Sequence, residues 1–401
     1  MKPDVIVVGA GPAGTATAIL LAERGLGVLL LDRAEFPRPK ICGDYLSPDA
    51  TRILDRLGVL KALDAAGAAP IAGMRITGPD GTAVTGTYRA IGRWRPYRDH
   101  ALGVSRETLD ATLVDRVRTL PVDFREGVRV TDVVLDGRRV TGVRAVDQQH
   151  REVTFQAPLV VGADGRASVV AHRLGCRRPH RLRRMALTTS VSGLDDCRGF
   201  GEIFIDPPDY AILNPLAPGR VTVGLVVPLA HAARWAGRRE TFFHARVKQL
   251  PHLARRLAGA RQEAPVLALG PLAYKVSPPS NDGVLLVGDA AGFYDPFTGE
   301  GVFTALRGAE LAAATVARAL DSGDVSASAL AAYTHARHAA FRDKEQVTRL
   351  LQLVISRRWL TGVFVRLLVR RPVFLDVLLG VVGDFVPPRA WLAGLLGRAT
   401  H

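Results

Sequence analysis

The amino-acid sequence predicts an α/β fold, in which a Rossmann-type dinucleotide-binding domain carries an inserted antiparallel β-sheet domain and a C-terminal helical region. Three observations support this class: a glycine-rich turn between an apolar strand and a helix, two later apolar strands that end near Asp-Gly or Gly-Asp, and a strand-like segment between those strands. Strands that alternate with helices are typical of a parallel sheet, and consecutive strands of an antiparallel one. The predicted boundaries are 1–72, 98–178 and 276–320 for the discontinuous dinucleotide-binding domain, 73–97 and 179–275 for the substrate-binding domain, and 321–401 for the helical region.

The N-terminal motif places glycines at the first, third and sixth positions of a turn that follows an apolar strand; it reads Val5-Ile-Val-Val-Gly9-Ala-Gly11-Pro-Ala13-Gly14. Gly9 permits the tight turn, Gly11 lets the backbone approach a pyrophosphate, and Gly14 lets the helix pack closely on the strand. We expect the pyrophosphate to lie on the free N–H groups of the helix from Pro12 to Arg24, beside Ala13.

The second strand, Val28 to Leu31, ends at Asp32. An acid about 20 residues after the glycine-rich turn accepts hydrogen bonds from the adenosine ribose in dinucleotide-binding proteins. The strand before the turn, the helix after it and this acid together supply the context that a glycine motif alone lacks. We expect Asp32 and the adjacent Arg33 to contact the dinucleotide.

The segment from Phe36 to Pro48 contains three prolines and reads as a long loop that leaves the dinucleotide site. Loops in that place often carry function. Further along, the patterns predict a helix from Pro48 to Leu57, a hairpin at 73–90, a helix capped by Ser105, strands at 128–134 and 140–146, and an apolar strand at 159–162.

The second half of the chain begins with a strand-like segment, 185–228, which we interpret as an antiparallel sheet. A helical stretch at 230–260, interrupted at Pro251, follows it. The apolar strand 283–287 then leads into a glycine-rich turn and a helix from Val302 to Leu320, whose N-terminus offers a second set of free N–H groups. From 342 to 401 the pattern is helical, apolar and rich in arginine.

The charge balance limits the partners. A total of 53 Lys and Arg against 38 Asp and Glu gives a net charge of +15. Such a surface attracts nucleic acid, an acidic carrier protein, an anionic membrane or an acidic substrate. Because no nucleic-acid-binding module is recognisable, we expect no nucleic-acid partner. The basic C-terminal helices leave three roles open: contact with a membrane or acidic carrier protein, capping of an apolar pocket, or a packed bundle with exposed arginines.

The three cysteines, Cys42, Cys176 and Cys197, lie far apart without the spacing of metal ligands. They predict neither a disulfide framework nor a metal site. The first strand follows Met1 within a few residues, and no stretch reaches the roughly 18 uncharged apolar residues of a spanning helix. We expect a cytoplasmic protein, with contact with the inner face of the membrane as an alternative, and the sequence does not indicate an oligomeric state.

Four separated stretches together resemble the FAD-dependent oxidoreductases with the p-hydroxybenzoate hydroxylase fold. They are the glycine-rich turn with Asp32, the helix start at Arg106, the pair Asp164-Gly165, and Gly288-Asp289 with Pro296. Within that superfamily, the segments 37–44 and 288–301 are most similar to the geranylgeranyl reductase branch. The resemblance covers about residues 4–320 and implies a Rossmann-type FAD-binding domain.

The resemblance also implies roles for single residues. Arg106 would contact the FAD, Asp164 would lie near its pyrophosphate and ribityl chain, and Asp289 would hydrogen-bond a ribityl hydroxyl. The turn from Pro296 to Gly301 would place helix N–H groups near the flavin ring. The expected cofactor-binding residues are Gly9, Gly11, Ala13, Gly14, Asp32, Arg33, Cys42, Gly43, Arg106, Asp164, Gly165, Gly288, Asp289, Pro296, Gly299 and Gly301. Since no second glycine motif follows a strand, we expect NADPH or NADH as a transient electron donor.

The sequence departs from this branch in two places. Ile212 and Asn214 stand where prenyl reductases have Trp and Phe in a Tyr-x-Trp-x-Phe-Pro motif, which disfavours a polyprenyl substrate. Tyr45 replaces the small residue that is usual after Cys-Gly-Asp and would narrow the site. The paired tryptophan motif of flavin-dependent halogenases is absent, which argues against chlorination.

Two chemistries stay open from the sequence, because reduced FAD either delivers a hydride to a polarised double bond or reacts with oxygen to hydroxylate a substrate. Cys42, Tyr45 and Tyr210 are the candidate catalytic residues, and simple packing is the alternative for each. We expect a reductase that acts on carbon–carbon double bonds of an apolar small molecule, an isoprenoid or other natural product. The alternatives are a single-component flavin monooxygenase of secondary metabolism and an electron relay docked on a membrane or carrier protein.

Overall fold

The computed structural model describes residues 2–194, 199–217, 219–232, 235 and 237–390. Cys197 and residues 391–401 of the predicted helical region lie outside them. The strands are β1 (Val5–Val8), β2 (Val28–Leu31), β3 (Tyr45–Leu46), β4 (Ala69–Ile71), β5 (Gly73–Thr77), β6 (Ala83–Thr87), β7 (Ala101–Gly103), β8 (Val122–Arg125), β9 (Arg129–Asp136), β10 (Arg139–Val146), β11 (Glu152–Gln156), β12 (Leu159–Gly162), β13 (Arg177–Pro179), β14 (Arg184–Ser192), β15 (Phe200–Asp206), β16 (Asp209–Ala217), β17 (Arg220–Pro228), β18 (Arg261–Gln262), β19 (Leu267–Leu269), β20 (Tyr274–Val276) and β21 (Val284–Leu286). The helices are α1 (Pro12–Ala22), α2 (Pro48–Arg56), α3 (Leu60–Ala65), α4 (Arg106–Arg118), α5 (Val169–Arg173), α6 (Leu229–Ala232), α7 (Arg239–Lys248), α8 (Pro251–Arg256), α9 (Gly301–Asp321), α10 (Ala327–Ile355), α11 (Arg358–Arg370) and α12 (Pro372–Val382).

A five-stranded parallel sheet forms the first layer, in the order β21-β12-β1-β2-β8. Its central strands β1, β2 and β12 are buried along their whole length. This explains their uninterrupted apolar runs, because both faces of the sheet are covered. Since the strands are parallel, Gly9, Asp32, Asp164 and Asp289, which follow four of them, lie at the same edge of the sheet. The predicted α/β class with a Rossmann-type domain is confirmed.

The second layer is an antiparallel sheet in the order β18-β14-β17-β16-β15-β5-β6. The hairpin β5–β6 comes from an early excursion of the chain, and it joins β15 in parallel register, with Ile76 beside Ile203. Alternate side chains of the long strands point to opposite faces. One face packs on α7 and α8 through Phe242, Phe243 and Leu253. The other face of the antiparallel sheet is directed toward the parallel sheet and the C-terminal helices. The boundaries of the domains stay a prediction.

The C-terminal helices close the molecule over that second face. Helix α10 is a single 29-residue helix that begins well before the predicted residue 342. Helix α12 crosses β6 closely, because a Cβ on Gly86 would lie 2.6 Å from Leu375 Cγ. Within the residues that the structure describes, no helix is both long enough and apolar enough to cross a membrane.

A buried group of charges fastens these helices to the rest of the fold. Lys344 Nζ lies 3.2 Å from Glu300 Oε1 and also pairs with the carboxylate of Asp384. Ser47 Oγ donates to Asp384 Oδ2 at 2.7 Å. Burial raises the pKa of Glu300, and the charge of Lys344 opposes that rise. The turn before α9, the middle of α10 and the end of α12 are therefore held together by one buried cation.

Candidate active site

One cavity of about 810 Å³ runs from the glycine-rich turn, between the two sheets, to the C-terminal helices. We distinguish two parts. The cofactor end is lined by the carboxyl edge of the parallel sheet and by the loop 33–43, and the apolar end is lined by the antiparallel sheet, α10 and α12.

The glycine-rich turn leaves open space where a phosphate group would approach. Gly9 has a φ of +99°, and a Cβ there would lie 2.6 Å from the carbonyl oxygen of Ala163, so only glycine fits. A Cβ on Gly11 would meet only guanidinium nitrogens, 3.8 Å away on Arg38 and 3.9 Å away on Arg106. Gly11 thus exposes the first turn of α1 to two cations, as the motif predicts.

Gly14 and Gly288 do not line the cavity, although the sequence analysis counts them among the cofactor-binding residues. A Cβ on Gly14 would lie 1.7 Å from the carbonyl oxygen of Gly9. Gly288 has a φ of +61°, and its Cβ would lie 2.7 Å from Ala13 Cβ. Both glycines allow α1 to pack against the sheet, so their contribution to the cofactor end is indirect.

Asp32 closes the edge of the cofactor end. Its Oδ2 accepts from the backbone N–H of Ala10 at 2.7 Å, and its Oδ1 accepts from that of Ala34 at 2.8 Å. These bonds hold the carboxylate at the cavity wall, next to Arg33. Since a carboxylate has about four acceptor positions, it retains capacity for ribose hydroxyls.

A cluster of cations lines the cofactor end. Arg106 is held by Asp110, with Nε donating to Oδ1 at 3.0 Å and Nη2 to Oδ2 at 2.9 Å. Arg38 pairs with the same carboxylate at 3.3 Å. Burial and the charge of Arg38 lower the pKa of Lys40. Arg33 and Arg106 are predicted from the sequence as cofactor-binding residues. The other cations at this end are not, and they are Arg38, Lys40, Arg129, Arg166 and Arg173.

Asp164 and Asp289 also line the cofactor end. Asp164 Oδ2 accepts from the backbone N–H of Val169 at 2.6 Å, while its Oδ1 is buried without a hydrogen-bond partner in the described protein. Burial raises the pKa of both carboxyls, and Arg106 opposes the rise at Asp289. Such an orphaned oxygen is suited to accept a hydroxyl group of a bound cofactor. Gly165, with a φ of +74°, lines the same end of the cavity.

The turn before α9 forms the junction between the two ends. Pro296, Gly299 and Gly301 all line the cavity, and α9 begins at Gly301. The ring of Tyr45 packs on this turn, because a Cβ on Gly299 would lie 2.7 Å from Tyr45 Cδ1. The first N–H groups of a 21-residue helix therefore face the cavity beside an aromatic ring.

Cys42 and Tyr45 are the predicted catalytic residues that do line the cavity, together with Gly43. Burial and the charge of Asp44 raise the pKa of the Cys42 thiol. The hydroxyl oxygens of Tyr45 and Tyr88 are 2.6 Å apart, and burial raises the pKa of Tyr45 well above its usual range. Both groups are therefore protonated at neutral pH, as proton donors must be.

Tyr210 is placed differently from its prediction as a catalytic residue. It is 1% exposed, and the described cavity wall does not include it. Its hydroxyl donates to Asp295 Oδ1 at 2.7 Å, an oxygen that also accepts from Gln352 at 2.6 Å. Its ring meets Phe297 edge-on at 5.0 Å. Tyr210 therefore supports the turn before α9 from behind.

The apolar end has no charged side chain among its described wall residues. The wall from the antiparallel sheet and the segment after it consists of Met74, Ile76, Ala186, Thr188, Ile203, Ile212, Asn214, Gly224, Val226, Leu269 and Leu272, and the C-terminal helices add Leu351, Leu378, Leu379 and Val382. A cavity with such walls binds apolar molecules. Helices α10 and α12 therefore form part of the wall of this cavity, which is one of the roles that the sequence left open for the C-terminal helices.

These features define a dinucleotide-binding oxidoreductase with an adjoining cavity for an apolar molecule. The residues fit FAD: backbone N–H groups and Arg106 for the phosphates, Asp32 for the ribose, and the orphaned oxygen of Asp164 for a hydroxyl. Comparison with known proteins agrees. The profile of the family described as "FAD binding domain" matches residues 2–348, so the chain belongs to this family of FAD-dependent oxidoreductases, in its geranylgeranyl reductase-like branch.

Among curated relatives, conditioned medium factor receptor 1 of Dictyostelium discoideum is 29% identical over 88% of this chain and 71% of its own length. Digeranylgeranylglycerophospholipid reductase of Methanosarcina mazei is 27% identical over 81% of this chain and 77% of its own. Menaquinone reductase of Mycobacterium tuberculosis is 33% identical over 80% and 78%.

Solved structures show the same fold. The flavin-dependent brominase Bmp2 superimposes with a TM-score of 0.85 at 20% identity, over 99% of both chains. The flavin-dependent halogenase CmlS superimposes with a TM-score of 0.78 at 28% identity; the match covers 86% of this chain and 63% of CmlS. Halogenases are thus as similar as reductases, and the argument against chlorination stays a prediction.

Proposed function

We propose that this flavoprotein is a reductase that saturates a carbon–carbon double bond of an apolar small molecule. One observation carries the proposal: the thiol-bearing Cys42 and the phenol-bearing Tyr45 line the cavity where its cofactor end meets the uncharged apolar end, with Tyr45 packed on the turn before α9. When bound, FAD in its reduced form supplies a hydride. Saturation of a double bond also needs one proton, which the thiol or the phenol is placed to donate and then to recover from water.

The other residues of the site would bind the cofactor or exclude water. The cation cluster and the turn after β1 would hold the cofactor, and the C-terminal helices would keep water from the apolar end. The wall suits an apolar substrate such as an isoprenoid or a quinone, the classes named for the reductase relatives. We propose NADPH or NADH as a transient electron donor.

Product analysis tests this function. The FAD-loaded protein would be reduced with dithionite without oxygen and incubated with menaquinone or a geranylgeranyl glycerolipid. Because dithionite also converts the menaquinone ring to its hydroquinone, the ring is reoxidised in air before analysis. We then expect products whose isoprenoid chain has gained two hydrogens, and a rate at least about tenfold lower for Tyr45→Phe or Cys42→Ala, since general acid catalysis contributes roughly 10²–10⁴-fold. Tyr97→Phe is the matched control, because it removes the hydroxyl of an exposed tyrosine that is not among the described wall residues of the cavity. Absence of reduced products from both substrates would contradict the proposal for these substrate classes.

A second candidate is oxygen-dependent chemistry, hydroxylation or halogenation, which the similarity to the halogenase CmlS favours. The same incubation in air, with NADPH and with or without bromide, distinguishes the candidates. Products that have gained one oxygen, or exchanged hydrogen for bromine, would establish this candidate in place of the reductase.

We also propose that the protein docks on an anionic membrane. Six of the large apolar side chains exposed in the described structure belong to one segment: Leu350, Leu353, Trp359, Val363, Val369 and Val373. Exposed arginines are interleaved with them: Arg357, Arg358, Arg366, Arg370 and Arg371. A mixed basic and apolar surface binds anionic lipid at its interface. This surface lies on α11 and on the adjoining parts of α10 and α12, and the latter two helices also line the cavity.

Co-sedimentation with phosphatidylglycerol vesicles at low salt tests the docking. We expect binding that added salt weakens, that Trp359→Ser weakens severalfold, and that Leu135→Ser, which alters an exposed apolar residue of β9, leaves unchanged. Absence of binding to the vesicles, or binding only to an acidic carrier protein, would overturn the membrane proposal.

A further inference from the structure

Asn214 carries a buried carbonyl oxygen that nothing in the proposed reaction uses. The residue lies on β16, lines the cavity and is 3% exposed. Its amide nitrogen donates to the carbonyl oxygen of Gly43 at 2.7 Å. Because a carbonyl oxygen only accepts, this bond fixes the orientation of the amide group. The remaining oxygen, Oδ1, has no hydrogen-bond partner in the described protein.

Asn214 lies close to the part of the cavity in which the proposed reaction would take place. The bond to Gly43 places Asn214 against the loop that carries Cys42, at the junction of the two ends of the cavity. Oδ1 is itself buried, beside the side chain of Met74, another wall residue. A Cβ on Gly201 of the neighbouring strand would lie 3.0 Å from the oxygen and would also meet Met74 Sδ. The flexible side chain of Met74 must therefore shift for a ligand in the cavity to reach Oδ1.

The neighbouring polar groups are engaged elsewhere. Thr222 faces Asn214 across the β16–β17 pair, and its hydroxyl donates to Asp44 Oδ2 at 2.7 Å. Asp44 Oδ1 accepts from the backbone N–H of Arg106 at 3.1 Å. Among the side chains of Asn214, Thr222 and Asp44, Asn214 Oδ1 is therefore the acceptor that is left for a ligand. A buried acceptor without a partner costs roughly 1–3 kcal/mol, which a donor on a ligand would recover.

We infer that the substrate carries an O–H or N–H group at the end that faces the flavin, and that Asn214 Oδ1 accepts it. The chemical class is an apolar molecule with one donor, such as an alcohol, a phenol, a hydroquinone or an amide. The inference rests on the proposed function only in taking the apolar end as the substrate site. Asn214 is a specificity-determining residue in this scheme, because a wall built to accept a donor rejects an analogue without one.

A matched pair of ligands tests the inference through binding alone. The FAD-loaded protein would be titrated with 1-naphthol and with 1-methoxynaphthalene, and binding would be followed by calorimetry and by the flavin absorption spectrum. We expect the wild type to bind the naphthol about tenfold more tightly, the ratio that one net hydrogen bond supplies. We expect Asn214→Leu to abolish the preference and Ile212→Leu, a neighbouring wall substitution, to retain it.

The outcomes separate the two proposals. Equal affinities in the wild type would overturn the inference, whether or not Asn214→Leu folds, because the oxygen would then be satisfied by cofactor or protein. A preference that persists in a folded Asn214→Leu protein would also overturn it. A preference that depends on Asn214, in a protein that reduces no double bond, would support the inference and contradict the proposed function.

Discussion

Substitution of Gly11 and Gly14 by alanine separates cofactor binding from folding. Gly11 has a φ of −75°, and its Cβ would meet only guanidinium groups at 3.8 Å and beyond. The alanine variant therefore folds with a free energy of unfolding within about 0.5 kcal/mol of wild type. Its methyl group occupies the space between Arg38 and Arg106 that a pyrophosphate needs. Loss of two hydrogen bonds to a charged group, about 1.5 kcal/mol each, weakens FAD binding about 100-fold.

Gly14→Ala has the opposite consequence. Its Cβ would lie 1.7 Å from the carbonyl oxygen of Gly9 and 3.3 Å from Ala163 Cβ, so α1 must move away from the sheet. Backbone displacement of this kind costs about 3 kcal/mol, which lowers the free energy of unfolding of the protein even without cofactor.

The assay uses protein from which the flavin has been removed. Urea unfolding gives the free energy of each variant, and quenching of FAD fluorescence gives the dissociation constant. Wild-type FAD affinity of Gly11→Ala, or a stability of Gly14→Ala equal to that of wild type, would refute the geometric reasoning.

Three further predictions concern groups around the site. Burial raises the pKa of Asp295 to about 6. The folded state thus binds the proton more tightly, and its free energy of unfolding relative to Asp295→Asn should fall by about 2 kcal/mol as pH rises from 4 to 6. A pH-independent difference in urea unfolding would contradict this. Lys344→Met leaves two carboxylates buried without their cation and should lower the free energy of unfolding by about 3–5 kcal/mol. The control Lys248→Met, at an exposed site, should have no effect. Equal stabilities of the two variants would refute the role of the buried cation. Gly86→Val should displace α12 and cost about 1–3 kcal/mol, and an unchanged melting temperature would show that this helix is not tightly packed.

Much of the cofactor end could be predicted from local sequence, because the residue at which each strand ends is recognisable in the sequence. Gly9, Asp32, Asp164 and Asp289 each follow an apolar run, and a parallel sheet brings such residues to one edge whatever lies between them in the sequence. The cations Arg38, Lys40 and Arg166 could have been found by the same rule, because they lie in the loops that follow these strands.

The apolar end does not follow from local sequence. Leu351 and Leu378 belong to helices with an apolar face, and periodicity identifies such a face without identifying the surface that it covers. Tyr210 shows the same difficulty on a strand. It occupies the same face of β16 as the wall residue Ile212, but the turn before α9 covers it, and that contact joins residues 85 positions apart. Only the assembled packing separates a wall residue from a support behind the wall.

The bond between Ser47 and Asp384 joins residues 337 positions apart. During synthesis at roughly 5–20 residues per second, the parallel sheet and the hairpin β5–β6 leave the ribosome many seconds before α12 does. Until α12 is made, the cavity lacks the part of its wall that Leu378, Leu379 and Val382 form. The order in which the chain is made is therefore also the order in which this cavity can be completed.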